Sequence, residues 1–366
     1  MKVKLLNNNQ NYSFKGYDVT RLKGFYMQGI NTPAEKKIFN EMTKIAKEEH
    51  LDLFINQNNT KISKKISENL TSDLKLSIWG QDRKAFVRQK GVDTILENTK
   101  EKVLCSSVFS PIGNYKIKSE KFMPRGGNYY IGYKDNDEKW AIVNSTEIYD
   151  QSSFDTFGDK PTIELFSKLL DIKPQNVFTI NEFFRDIDEV IRPIGYPYVL
   201  VNNFNENLKN IDILEKKFPN SKELIAKLRN YSTSQHIENH SEMLKSYGFI
   251  PINIGGFYFE NINFINALAF INKNNKISYI TNSTKGSCPE LEYLETLFEK
   301  DLKAKVKNIE KIHFVSGGTK EKAQKNNNDI FTVTFPSRGI EYNNSIMDIL
   351  ADRLGGIHCM TAEIPM

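Results

Sequence analysis

The chain has 366 residues, 39% hydrophobic and 26% charged, with a net charge of +5. That is long enough to bury one large core or two ordinary ones. No run approaches the length of a membrane span, the first residues carry no apolar signal core, and the lysines are spread along the chain rather than gathered into a nucleic-acid footprint. The expectation is a cytoplasmic protein with no membrane and no nucleic-acid partner.

In chain order, Pro33 to His50 has helical periodicity, with Ile38, Met42 and Ile45 on one face. Leu51 to Ile55 then reads as a strand. Tyr129 to Tyr133 and Trp140 to Asn144 flank Lys134-Asp135-Asn136-Asp137-Glu138, a hairpin turn by composition. Pro161 to Leu170 reads as a helix and Asn176 to Ile180 as a strand. Tyr198 to Val201 is a further strand. Ser221 to Tyr231 and Ser241 to Tyr247 read as helices before the strand Phe249 to Asn253. Ala267 to Asn272 and Lys276 to Thr281 form a second hairpin pattern. The helix Pro289 to Leu302 and the strand Lys311 to Val315 follow. Hairpin, helix and strand thus recur at roughly 50–70 residues. The pattern predicts one α/β domain over residues 1–366, built of repeated ββαβ units.

Cys105, Cys288 and Cys359 are odd in number and far apart, so no disulfide framework follows, and no Cys-x-x-Cys pair occurs. The five histidines have no recognised metal spacing, and neither a metal nor a cofactor is expected. Chemistry-bearing residues gather in four segments. Trp79-Gly80-Gln81-Asp82 sets a carboxylate beside an aromatic wall, which suits a planar cation; a surface ion pair near a core Trp fits as well. Arg125-Gly126-Gly127-Asn128 leads into a strand with glycines that let a ligand approach the backbone, or forms an ordinary turn. Asp186 and Asp188 share a side if their segment is extended; an acidic helix start is the alternative. The last segment is Gly355-Gly356-Ile357-His358-Cys359-Met360-Thr361.

Taken in order, these segments resemble the guanidino-group-modifying enzymes of the pentein superfamily, closest to the agmatine and peptidylarginine deiminases. Trp79 to Asp82 looks like the Trp-x-Arg/Gln-Asp motif, and Gly126-Gly127-Asn128 like Glu-Gly-Gly-Asn. Asp186-Ile187-Asp188 stands where the family has His-x-Asp. Asn263 to Ala267 resembles the Ser-Tyr-x-Asn stretch. Gly355 to Thr361 resembles Gly-Gly-x-His-Cys-x-Thr, the most specific of the set. The resemblance implies a five-bladed α/β propeller with its site in a central channel. It implies Cys359 as the nucleophile, Asp82 and Asp188 as carboxylates on the guanidinium, and Trp79, Arg125, Gly127 and Asn128 as substrate-binding residues. The implied substrate is a small-molecule or peptidyl guanidine, and oligomeric assembly is left open.

Two departures touch the site. Asp186 takes the histidine's place, and Arg125 the place of the glutamate before Gly-Gly. An aspartate titrates near 3.9, so shuttling protons near neutrality needs a rise of about two units from crowding and burial. His236 or His240 could supply the base instead, although by position both read as exposed residues near a helix start. His358 would point away from Cys359 in an extended segment. The expected activity is hydrolysis of a guanidino C–N bond through a thiouronium intermediate. Amidino transfer, or a pentein that binds without turnover or takes another substrate, is the alternative.

Overall fold

The computed structural model describes residues 22–27, 33–55, 126–134, 136, 138–149, 163–164, 167, 172–182, 186–234, 240–257, 262–285, 288–315 and 356–365. Trp79, Asp82, Arg125 and His236 lie outside them. The described chain is mixed α/β. Its strands form four separate three-stranded sheets, with no closed barrel among the described residues.

Each sheet is built on one plan, an antiparallel strand pair followed by a crossover to a parallel third strand. In the first, β3 (Tyr129–Tyr133) pairs antiparallel with β4 (Lys139–Asn144), the short helix α2 (Thr146–Tyr149) follows, and β5 (Val177–Ile180) lies parallel to β4. In the second, β6 (Ile191–Gly195) and β7 (Tyr198–Asn202) form the hairpin. Its crossover holds α3 (Phe204–Lys217), α4 (Lys222–Ser234) and α5 (His240–Ser246) before β8 (Ile250–Ile254). In the third, β9 (Leu268–Ile271) and β10 (Ile277–Asn282) are followed by α6 (Pro289–Lys305) and β11 (Ile309–Val315).

The fourth sheet joins the two ends of the described chain. Strand β12 (Thr361–Pro365) pairs antiparallel with β1 (Leu22–Met27), which lies parallel to β2 (Asp52–Ile55) across α1 (Pro33–Glu49). Neither β1 nor β12 is legible as a strand from local pattern. The same holds for β6, where Arg192 and Pro193 interrupt an apolar run. Pro193 is tolerated in this outer strand of its sheet, where a missing N–H costs no ladder bond. Helix α3 is not legible from local pattern either. Its buried stripe includes Asn207 and Asn210 beside Ile211 and Leu214, which dilutes the apolar periodicity.

Apolar side chains fill the spaces between successive sheets. Tyr130, Trp140 and Ile142 pack against Ile191, Val199 and Val201. The largest cluster joins the β6–β7–β8 sheet to the β9–β10–β11 sheet, with Leu214, Leu228 and Phe298 from the helices. Phe25, Ile38 and Met42 meet Leu268, Phe270 and Ile280. No described helix is long and apolar enough to cross a membrane.

At the periphery, polar contacts bind α1 to the third sheet. The Glu49 carboxylate accepts from His313 Nε2 at 2.8 Å and from Ser278 Oγ at 2.9 Å. Burial alone would raise its pKa, but the bonds from His313 and Ser278 and the charge of Lys311 outweigh it and hold the pKa below the ordinary 4.5. Glu48, Glu49 and His313 also offer ligand atoms within 4.8 Å of one another. Lys311 Nζ already lies 2.9 Å from Glu48 and 3.5 Å from Glu49, so a cation is in place.

Phe298 stacks on Phe264 at 4.8 Å between ring centroids and is fully buried. Phe298→Ala is expected to cost about 3–5 kcal/mol in denaturant titrations. Because the Glu49 pKa is depressed in the folded state, its contribution is full above 4.5 and is lost as pH falls through the lower folded value. Glu49→Gln should therefore flatten the acid limb of stability against pH, measured by thermal melts.

Candidate active site

Four lead-in turns precede the hairpins, and asparagines stitch them together. Gly126–Asn128 is a 3₁₀ turn before β3, and Ile187–Glu189 is a second before β6. Asn263 to Asn266 leads to β9, and the short helix α7 (Ile357–Met360) leads to β12. Buried Asn128 Oδ1 accepts from Asn144 Nδ2 at 3.0 Å and from the Ile187 N–H at 3.2 Å. Asn263 Nδ2 donates to the Glu189 carbonyl at 3.1 Å. Asn282 donates to the Asn263 carbonyl at 3.0 Å and accepts from the Ile357 N–H at 3.1 Å.

Asn144, Asn202 and Asn282 occupy one place, the last residue of the second strand in three sheets. The signal is in the sequence, as Val143-Asn144-Ser145, Val201-Asn202-Asn203 and Thr281-Asn282-Ser283. A buried side-chain amide there can donate and accept together, meeting backbone groups that turns leave unpaired.

At the centre of this stitching, His358 Nδ1 donates to Asp188 Oδ2 at 2.7 Å, and both side chains are fully buried. An ionised carboxylate only accepts, so the bond fixes a proton on Nδ1. The His358 ring lies 5.6 Å from the Tyr130 ring, and the Arg192 guanidinium carbon lies 5.3 Å from the Tyr130 centroid. Arg192 is itself fully buried. Burial drives the Tyr279 pKa upward, and the positive charge of Arg192 partly opposes the rise. Asp188, His358 and Arg192 thus bring one carboxylate, one titratable ring and one fixed cation into the interior, next to two tyrosines.

This geometry corrects three expectations. The segment around His358 is helical, not extended, and its ring bonds Asp188. Asp186 and Asp188 do not alternate along a strand. Asp186 is extended and half-buried, whereas Asp188 sits inside the 3₁₀ turn and is fully buried. His240 is not exposed; it starts α5 with 1% of its surface accessible, and Nε2 lies 3.1 Å from Glu182 Oε2. Glu182 reaches the stitched turns through its own N–H, which donates to Asn144 Oδ1 at 3.3 Å.

Of the residues singled out from sequence, Gly127 and Asn128 in the turn before β3 and Asp188 in the turn before β6 meet α7, whose third residue is Cys359. Gly127 and Asn128 are buried in the turn before β3. Sequence reasoning missed Tyr130, Arg192, Glu182 and the asparagines at the strand ends. Gly356 has an ordinary extended backbone, and it is glycine because of crowding: a Cβ there would lie 2.5 Å from Asn266 Oδ1. No protein-family model and no curated protein matches the chain.

Asn282→Ala would leave the Ile357 N–H and the Asn263 carbonyl buried without this partner. The expected loss is about 1–3 kcal/mol per stranded group in chemical denaturation. Asn282→Asp keeps the acceptor for Ile357 and loses the donor to Asn263, so hydrogen exchange should show the Ile357 amide still protected.

Proposed function

We propose that the chain is a hydrolase of guanidino C–N bonds with Cys359 as nucleophile, built as a five-bladed α/β propeller of the pentein type. One observation carries this reading. Turns chosen from sequence for guanidine chemistry meet at one place, through the Asp188–His358 bond at 2.7 Å and the Asn128–Ile187 bond at 3.2 Å. The repeated hairpin–helix–strand plan of the four sheets supports the propeller.

A guanidinium carbon is a poor electrophile because its charge is spread over three nitrogens. Carboxylates that bind its N–H groups as a fork localise that charge. Asp82 takes this role beside Trp79, with Asp188 as the second carboxylate. Arg125 suits an acidic group on the substrate. The Cys359 thiolate forms a C–S bond, one C–N bond breaks, and ammonia leaves after gaining a proton. Water then adds to the thiouronium carbon and the C–S bond breaks. The balance is guanidinium plus water giving a ureido product plus ammonium. Asp186, at the position of the family histidine, is the carboxyl that hands on protons in this scheme.

A second reading, a pentein that binds its ligand without turnover or completes amidino transfer, is favoured by one observation. Asp188 Oδ2 is engaged by His358, which leaves less of that carboxylate for the fork.

Arginine, agmatine and arginine peptides should yield ammonia and a ureido product in equal amounts. Cys359→Ala should abolish this, and a haloacetamidine should label Cys359. Absence of turnover with all three substrates, together with absence of labelling, would sink the hydrolase.

A further inference from the structure

Two asparagines of the third sheet stand between the turn that carries Asp188 and the helix that carries Cys359. Asn263 Nδ2 donates to the Glu189 carbonyl at 3.1 Å. Its Oδ1 accepts from the N–H groups of Ile265 and Asn266, both at 3.0 Å. Its own carbonyl accepts from Asn282 Nδ2 at 3.0 Å, and Asn282 Oδ1 accepts from the Ile357 N–H at 3.1 Å. Glu189 follows Asp188 and Ile357 precedes His358, so the Asp188–His358 bond at 2.7 Å closes these contacts into a ring.

We propose, resting on the reading of Asp188 and Cys359 given above, that Asn263 and Asn282 are positioning residues for the reaction. Together they form a bridge that sets the separation of the carboxylate turn from the nucleophile helix α7.

The chemistry of the bridge suits asparagine. A side-chain amide donates and accepts at once, so each residue can hold a group on either side of it. Both side chains are buried, which removes the competition from water that weakens such bonds at a surface. The Asp188–His358 bond alone would leave the two turns free to pivot about it. A second connection in parallel removes that freedom.

The far end of the bridge is itself held from three directions. Asn282 takes the Ile357 N–H, Thr361 Oγ1 donates to the Ile357 carbonyl at 2.9 Å, and the Ile357 side chain is packed with Phe270 and Ile280. Cys359 lies two residues further on in the same four-residue helix. The near end is also anchored twice: the Ile187 N–H donates to Asn128 and the Glu189 carbonyl accepts from Asn263.

Position at a strand end does not by itself make an asparagine part of the bridge. Asn202 holds the same place at the end of β7, yet its Oδ1 accepts from Asn207 Nδ2 of α3 at 3.0 Å. Its side chain serves the crossover of its own sheet.

In the proposed reaction the carboxylate and the nucleophile stand on different turns. A shift between them leaves the guanidinium bound and moves its carbon away from the nucleophile. Misplacement of about 1 Å can cost about a hundredfold in rate, so the bridge acts on kcat more than on binding.

The His358 ring proton reports the bridge without any turnover. A proton on Nδ1 held by a carboxylate resonates downfield in NMR spectra of the full chain, and His358→Asn identifies it by its loss. Asn263→Asp keeps the acceptor for Ile265 and Asn266 and loses the donor to Glu189. Asn282→Asp keeps the acceptor for Ile357 and loses the donor to Asn263. Each cuts the bridge and spares the local turn, so each should move the signal upfield. Asn263→Ser and Asn282→Ser, neutral and one atom shorter, should do the same. Asn202→Asp adds a buried charge off the bridge and should leave the signal in place. With arginine or agmatine, the bridge variants should lose about tenfold or more in kcat, with KM changed by less than about threefold.

An unmoved signal in folded bridge variants, checked by circular dichroism, overturns the proposal. So does an equal shift in Asn202→Asp, a wild-type spectrum without such a proton, a rise in KM at constant kcat, or failure of every bridge variant to fold. If the signal moves as expected while arginine, agmatine and arginine peptides all stay unconverted, the bridge stands and the hydrolase reading falls.

Discussion

His358 and Asp188 are both withdrawn from water, and each is tolerable there because of the other. A lone buried carboxylate would pay a desolvation cost that no apolar packing returns. The bond between them ties the last described helix to the turn before β6, 170 residues earlier. Around it the Asn128, Asn263 and Asn282 side chains fasten the neighbouring turns to one another. The interior at this end is therefore polar, while the spaces between the sheets are apolar.

That division explains why one hairpin plan can be repeated without making the sheets interchangeable. Each hairpin ends its second strand close to the stitched turns, and three of them place an asparagine there. The helical crossovers differ greatly, from the single α6 to the run α3, α4 and α5. Variation in length is accommodated on the crossover side, while every lead-in is a short turn of a few residues. Side chains that differ there, such as Asn128, Asp188, Asn263 and His358, supply chemistry to a common centre.

Most helices and strands were legible because periodicity is local. Ile38, Met42 and Ile45 mark α1, and the hairpins around residues 134–138 and 273–275 announce themselves by turn composition. The candidate segments were also legible, since Gly127, Asn128, Asp188 and Cys359 stand in short recognisable patterns. Arg192 and Tyr130 were not, because a cation or a tyrosine in an apolar run carries no mark of what faces it. His240 was misplaced for the same reason: its burial depends on Glu182, 58 residues away.

By itself, then, the sequence determined the repeating hairpin–helix–strand order, the glycine and asparagine lead-ins, and a cysteine set beside a histidine near the end. The tertiary structure alone decided that β12 completes the sheet begun by β1, and that a helical turn at Ile357–Met360 swings His358 onto Asp188. The physical reason is range. Side-chain periodicity reports which face of an element is apolar, but closure of one strand on another and the burial of a hydrogen-bonded histidine and carboxylate depend on groups that only the folded chain brings together.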